Sequence, residues 1–525
     1  MSRIMELPKE QESHISSHSH FGDLPNEVLT MVAMEMVSQD LEDFPEPECR
    51  LSNIETSGDL RMLCLVSKRL DAVARPALYK NIIVCRSTKL VALYRTLLEN
   101  KTLGRYIKHI VLDTSFATSI CYYHPMILDE MAGLDRDFGP WIGRGCMRRG
   151  CMRVSREIEN KLHVSLYIKI LNHALNLETL SVNIPPRDYV GYELAPYSSQ
   201  PFLPNIVLSQ LPRLKMVRLL ANSVSHHVDL ALELGRLLPW SQPGQPKLER
   251  LIWVKDHVSW FDSLPSTTDG QCGDLKCFEL KDSSCLPADI TRICESLPSL
   301  RTLRITSNLR RTHWRIGDVV LSNAVNTPNF EHLTHSLAKM QHLQTLSLDL
   351  HYAQDISPLL GPDRFLSLAG LPDLRSLTVP FQFLIPETWI GIKFPIRCLP
   401  RSLRSLTILF DGNYHCRPAS LLAEVSSDAQ DDVFWFLEAL APLCSSDFRE
   451  LREVTYSCGD SYGLFRTPSL ICRRHRAFSM RMLAGTDEEF PDDATSRYGA
   501  LVASFAERNV QLKEELRGSI HDMFK

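Results

Sequence analysis

One spacing of apolar residues governs most of the chain: an apolar residue, two variable, an apolar residue, one variable, an apolar residue. It occurs as Ile107, Ile110, Leu112; Leu177, Leu180, Val182; Leu214, Val217, Leu219; Leu248, Leu251, Trp253; and Leu275, Phe278, Leu280. It returns as Leu300, Leu303, Ile305; Leu343, Leu346, Leu348; Leu374, Leu377, Val379; Leu403, Leu406, Ile408; and Leu451, Val454, Tyr456. The last two members of each unit stand two apart, the period of a strand with one face inward. Between the units lie stripes at the period of a helix: Leu162, Leu166, Ile170 with Ala174; Ile290, Ile293, Cys294, Leu297; and Val433, Phe434, Leu437 with Ala441. Phe330, Leu333, Leu337 and Met340 make another, with Thr327 as its cap and Pro328 as its first residue. Leu-Pro pairs at 211–212, 297–298 and 371–372 close one element and extend the chain into the next. Strand and helix alternating in this way predict an α/β solenoid, a curved parallel sheet with outer helices, in which each unit touches only its neighbours. A conventional α/β domain is the other architecture the alternation allows.

The first eighty residues follow a different pattern. LPNEVLTMV at Leu24–Val32 has Asp23 as a cap-type residue, Pro25 with a φ suited to a first helical turn, and Val28, Leu29, Val32 and Met36 at helical spacing. A second helix is expected with Asp59 as its cap and Leu60, Leu63 and Cys64 on one side. A third carries Leu70, Val73 and Ala74, and Pro76 is expected to end it. Three such short helices bury little area among themselves and must lean on something else. LPNEVL followed by LCLVSKRLDAVARPALYKNI resembles the F-box. That resemblance, which covers about 21–82, implies docking onto the Skp-type adaptor of a cullin-RING ubiquitin ligase. Transferred position by position, it assigns the adaptor-facing role to Leu24, Pro25, Val28, Leu29, Leu63, Val66 and Leu70. The insert at 38–57 departs from the family, which has a short turn there. Its six acidic residues against a single arginine, with Pro45 and Pro47, read as a solvated loop.

The repeats in turn resemble the leucine-rich repeat, in their skeleton only. Corresponding residues of successive units stand 25 to 70 apart, longer and less even than the family's roughly 20 to 29 residues. The family's asparagine is matched at Asn222 and Asn308. In such a solenoid the variable residue between the last two apolar positions points onto the concave wall. From the second unit onward these residues are Ser181, Arg218, Ile252, Glu279, Arg304, Ser347, Thr378, Thr407 and Thr455. The wall is therefore rich in hydroxyls, with Arg218 and Arg304 its cations and the candidate contacts to a protein substrate. Tyr189 and Tyr192, with Tyr197 and Phe202, make the insert at 184–204 a second candidate contact.

The expected division is a disordered tail at 1–20, an F-box-like module at 21–83, the solenoid at 84–486 with inserts near 113–154 and 184–204, and an acidic linker with a capping helix at 487–525. Leu501, Phe505, Leu512, Leu516 and Ile520 are assigned to one face of that last helix. The net charge of −4, from 58 basic and 62 acidic residues, gives no general attraction to nucleic acid or anionic membrane. No apolar run approaches the roughly 20 residues of a membrane span, and the polar N-terminus lacks the apolar core of a secretory signal. The expectation is an intracellular protein, cytoplasmic or nuclear. Fifteen cysteines, among them Cys64, Cys85, Cys294 and Cys444, are scattered singly and read as reduced thiols. Cys146 with Cys151, and Cys272, Cys277 and Cys285, lack the spacing of a zinc site, and His332 and His335 lack a third ligand. RGCMRRGCMR at 144–153 reads as a solvated basic loop. No Walker loop, GxSxG elbow or HExxH is present. Neither a cofactor nor catalysis by the chain itself is expected. Two functions fit, a substrate receptor of a ubiquitin ligase and a non-catalytic interaction scaffold.

Overall fold

The computed structural model describes residues 24–37, 58–84, 87–112, 156–184, 211–221, 227–229, 248–259, 275–283, 287–308, 330–351, 366–384, 394–411, 436–459 and 493–517. The tail at 1–20, Asp23, the acidic insert, the basic loop, Tyr189 to Phe202, Thr327, Pro328 and Val433 lie outside these residues. So do Phe434 and Cys85, Cys146, Cys151, Cys272 and Cys285.

All ten spacing units lie at strands, and every pairing is parallel. The strands are β1 (Asn81–Val84), β2 (His109–Leu112), β3 (Thr179–Ile184), β4 (Met216–Ala221), β5 (His227–Asp229), β6 (Arg250–Ser259) and β7 (Cys277–Ser283). They continue as β8 (Thr302–Asn308), β9 (Thr345–His351), β10 (Ser376–Pro380), β11 (Ser405–Asp411), β12 (Glu453–Gly459) and β13 (Gln511–Arg517). Except for β5, which pairs only with β6, spatial order follows sequence order, so each unit lies beside its neighbours in the chain. The result is a solenoid-like α/β architecture.

The register explains why the spacing matters. Leu180, Val217, Leu251, Phe278 and Leu303 are aligned across β3, β4, β6, β7 and β8. All five are buried. Against this face pack α4 (Ser87–Glu99), α5 (Arg156–His173), α6 (Pro287–Ser296) and α7 (Phe330–Ala338), whose Leu90, Leu166, Ile290 and Leu333 enter the same core. Gly104 lies beneath the end of α5, where an added Cβ would stand 2.1 Å from the His173 carbonyl oxygen, so no larger residue fits.

Three strands lie outside the ten units: β1, β13 and the short β5. In β1, Tyr79, Ile82 and Val84 do obey the spacing, but they adjoin the helical motif and were assigned to it. In β13 only Leu512 matches, Asn509 and Glu514 taking the other two apolar places. The expected single C-terminal helix is therefore corrected: α8 (Asp493–Ala506) buries Leu501 and Phe505, while Leu512 and Leu516 belong to β13. Asn509 has a φ of 58°, the Val510 N–H donates to the Phe505 carbonyl at 3.0 Å, and that of Asn509 donates to Ala506 at 3.0 Å. This is a Schellman stop, sealed by the buried side chains of Phe505 and Val510.

Candidate docking surface

The N-terminal helices are α1 (Asn26–Glu35), α2 (58–66) and α3 (Lys68–Lys80). Three expected boundaries are corrected. Pro25 is the N-cap residue of α1, not its first helical residue, and it gives no side-chain cap. Asp59 falls inside α2, where its charge suits the positive end of the helix dipole. Pro76 lies within α3, which runs four residues beyond it. The missing N–H costs one backbone bond, but Val73 and Ala74 before the proline and Ala77 after it are all buried, and that packing carries the helix through. The cap of α3 is Ser67, whose Oγ accepts from the Leu70 N–H at 3.1 Å.

These helices have a small core of their own: Leu29, Ala33 and Val37 from the α1 segment, Leu60 from α2, and Leu70, Val73, Ala74 and Ala77 from α3. Arg69 fastens the start of α1 to α3, its Nε donating to Asn26 Oδ1 at 2.7 Å and its Nη2 to the Leu24 carbonyl at 2.5 Å. The joint between the two cores is α3 itself, for Leu78 packs on the helical core and Tyr79 on the sheet core, and β1 follows without a loop.

What the small core does not cover defines the surface. Val28, Met31 and Val32 are exposed along α1, and Met62, Leu65 and Val66 along α2, both sets at i, i+3, i+4. Six of the eight large hydrophobics that the described residues expose are in these two stripes. Leu65 is 80% exposed, Val66 68% and Met31 67%, a concentration of apolar surface that marks an interaction site.

Of the residues singled out from sequence, Pro25, Val28 and Val66 are exposed, Leu24 and Leu63 are half-buried against the helical core, and Leu29 and Leu70 are within it. Met31, Met62 and Leu65 were missed. The signal was available: once Leu29 and Leu60 are placed inside, the residue two further on, Met31 or Met62, falls on the far side of each helix, and Leu65 lies one turn beyond Met62. On α2, burial first and then a hydrogen bond to the Asp71 carboxylate raise the Cys64 thiol above its ordinary pKa, so it stays protonated at neutral pH.

The second surface is the face of the sheet opposite the helices. The residues expected on the wall do form one continuous row, Ser181, Arg218, Ile252, Glu279, Arg304, Ser347, Thr378, Thr407 and Thr455 being register partners in turn. Its solvation is corrected. Ser181, Arg218, Ile252, Glu279 and Thr455 are buried, whereas Arg304 is exposed and Ser347, Thr378 and Thr407 are half-exposed. Two causes are visible on β4 to β7. Met216, Ile252 and Val254 form a separate small apolar cluster. Glu279 is neutralised in place, with Arg250 Nη2 at 2.7 Å, Lys281 Nζ at 3.6 Å and Arg304 Nη1 at 3.9 Å. Burial pushes the Glu279 carboxyl up, but the Arg250 charge and hydrogen bond, with Lys281 and Arg304 behind them, hold it below the ordinary carboxylate range. Burial and then the Glu279 charge push the adjacent Cys277 thiol up to about 11. Arg218 and Arg304, the two expected cations, therefore occupy different environments and do not converge.

Among the described residues no three His, Cys, Asp or Glu side chains gather as a metal site, and His332 and His335 are exposed on α7. No helix of the described residues is long and apolar enough to cross a membrane. The chain matches no family model and no curated protein.

Proposed function

We propose that this chain is the substrate-recognition subunit of a cullin-RING ubiquitin ligase of the SCF type. On this reading α1 to α3 are an F-box that docks on the Skp-type adaptor, and the sheet domain is an irregular leucine-rich-repeat solenoid that holds a protein substrate. Catalysis is then by proximity, the ubiquitin-transferring groups belonging to other subunits.

The observation that carries the reading is the pair of uncovered apolar stripes, Val28–Met31–Val32 and Met62–Leu65–Val66, on helices whose sequence resembles the F-box. Its magnitude is suitable. Six large apolar side chains at roughly 1.5 to 3 kcal/mol each, discounted for the part already buried, give on the order of 10 kcal/mol gross. Association costs about 4 to 15 kcal/mol. The margin is thin, so one charge placed in a stripe abolishes the complex. Because α3 enters both cores, an adaptor held on α1 and α2 is coupled to the sheet through a continuous helix, as presentation of a bound substrate requires.

The test is co-purification of adaptor and cullin from cells with the wild-type chain and with Leu65→Asp. The expected result is loss of both partners with the variant; equal recovery defeats the assignment. Partner half-lives with and without proteasome inhibition then separate a receptor from a scaffold that binds the adaptor without turnover.

A further inference from the structure

The two halves of the sheet face opposite the helices treat charge in different ways. Along its entry edge the residue preceding each strand forms an unbroken backbone ladder. In the second half the N–H of Gln344 donates to the Arg301 carbonyl at 2.8 Å, that of Arg375 to Gln344 at 2.8 Å, and that of Arg404 to Arg375 at 2.7 Å. In the first half the same edge alternates in sign and neutralises itself: Lys108 meets Glu178 at 3.0 Å and Lys276 meets Glu249 at 2.8 Å. From β8 to β11 no acid stands on that edge; Arg301, Arg375 and Arg404 are exposed.

The rows behind the edge extend the contrast. On β8 to β11 the next position is Thr302, Thr345, Ser376 and Ser405, and the one after it on the same face is Arg304, Ser347, Thr378 and Thr407. Every one of these hydroxyl residues is half-exposed. Eight positions on four strands and the four residues that precede those strands thus hold four arginines, one glutamine and seven hydroxyls, with no acid and no apolar or aromatic side chain. Arg301 and Arg375 meet no acidic side chain among the described residues, and Arg404 meets only the exposed Glu450, at 3.1 Å.

We infer that the face of β8 to β11 binds an Asp- and Glu-rich segment of a partner protein, laid in extended form across the strands with its carboxylates along the arginine edge. Arg301 to Arg404 spans three strand spacings of about 4.8 Å, the length of four or five extended residues. A single phosphate requires arginines that converge on it, whereas these are strung out in a line, which suits carboxylates spread along a chain. Single-stranded nucleic acid requires aromatic platforms for its bases, and these rows have none. That the segment belongs to a ubiquitination substrate rests on the function proposed above; the binding itself does not.

The experiment uses the full chain and a fluorescein-labelled peptide of alternating glutamate and glycine, followed by anisotropy, with adaptor binding measured on the same samples. The expected result is saturable binding that weakens as salt screens the charges. Arg301→Glu with Arg375→Glu and Arg404→Glu weakens it by about tenfold or more, each exposed pair being worth only a few-fold; Lys215→Glu on the first half leaves it unchanged. Arg304 is left intact because it stands beside buried Glu279. Lost peptide binding with adaptor binding retained supports the inference. Failure of the wild-type chain to bind, equal binding by the triple variant, or tighter binding of an oligouridylate overturns it. Adaptor binding that fails while the peptide still binds removes the ligase reading and leaves this site standing.

Discussion

The helical module and the sheet are both rich in leucine and valine, yet they use them differently. The sheet turns the last two apolar residues of every spacing unit into one continuous core. The module closes around eight buried residues and leaves two stripes of larger ones in water. The difference follows from size and repetition. A solenoid unit always has a neighbour to cover it, while three short helices have more apolar surface than partners. An exposed stripe in the module therefore faces water, and a buried one in the sheet faces only its own core.

That contrast can be broken by substitution. The largest effect is expected at Leu377, fully buried on β10: Leu377→Ala costs about 3 kcal/mol, read by chemical denaturation, and a loss below about 1 kcal/mol would show that the units do not depend on one another. Next is Glu279→Ala, which leaves Arg250 half of a broken pair. A fully buried pair costs about 3 to 5 kcal/mol to break, and because Arg250 is partly exposed about 2 kcal/mol is expected. The sign of its pH dependence follows from the lowered pKa. The stability it contributes is complete above the unfolded value of about 4.3 and is lost as pH falls through the still lower folded value. Glu279→Gln should flatten the acid limb of a stability profile below about pH 4.5, and an unchanged limb would remove the ion pair from the account. Ser67→Ala, which deletes the cap of α3, is expected to cost about 1 kcal/mol. Smallest of all, Leu65→Ala should leave thermal stability within about 0.5 kcal/mol. A larger loss would mean that α2 leans on the sheet and has no free stripe.

How much of this was legible follows the same division. Ten strands could be read from sequence because each apolar place has a register partner on the next strand. Tyr79, Ile82 and Val84 were hidden by adjoining the helical motif, and β13 by Asn509 and Glu514 in two of its apolar places. The apolar spacing alone carries the helical stripe through Leu512 and Leu516, whereas Asn509 in the left-handed region ends the helix first. For the site, Val28 and Val66 were found from the resemblance, while Met31, Met62 and Leu65 required knowing which side of each helix the small core takes. The wall residues were aligned correctly, but no spacing rule reveals that Glu279 is neutralised in place or that Met216, Ile252 and Val254 cluster beside it.

The central claim is that the stripes on α1 and α2 hold a Skp-type adaptor. Calorimetric titration of the purified full chain with recombinant adaptor tests it most directly, comparing wild type with Met62→Asp combined with Leu65→Asp. The account predicts binding with a negative heat-capacity change for the wild-type chain, and none for a variant whose thermal unfolding is unchanged. Equal affinity for both, or no binding by either, contradicts it.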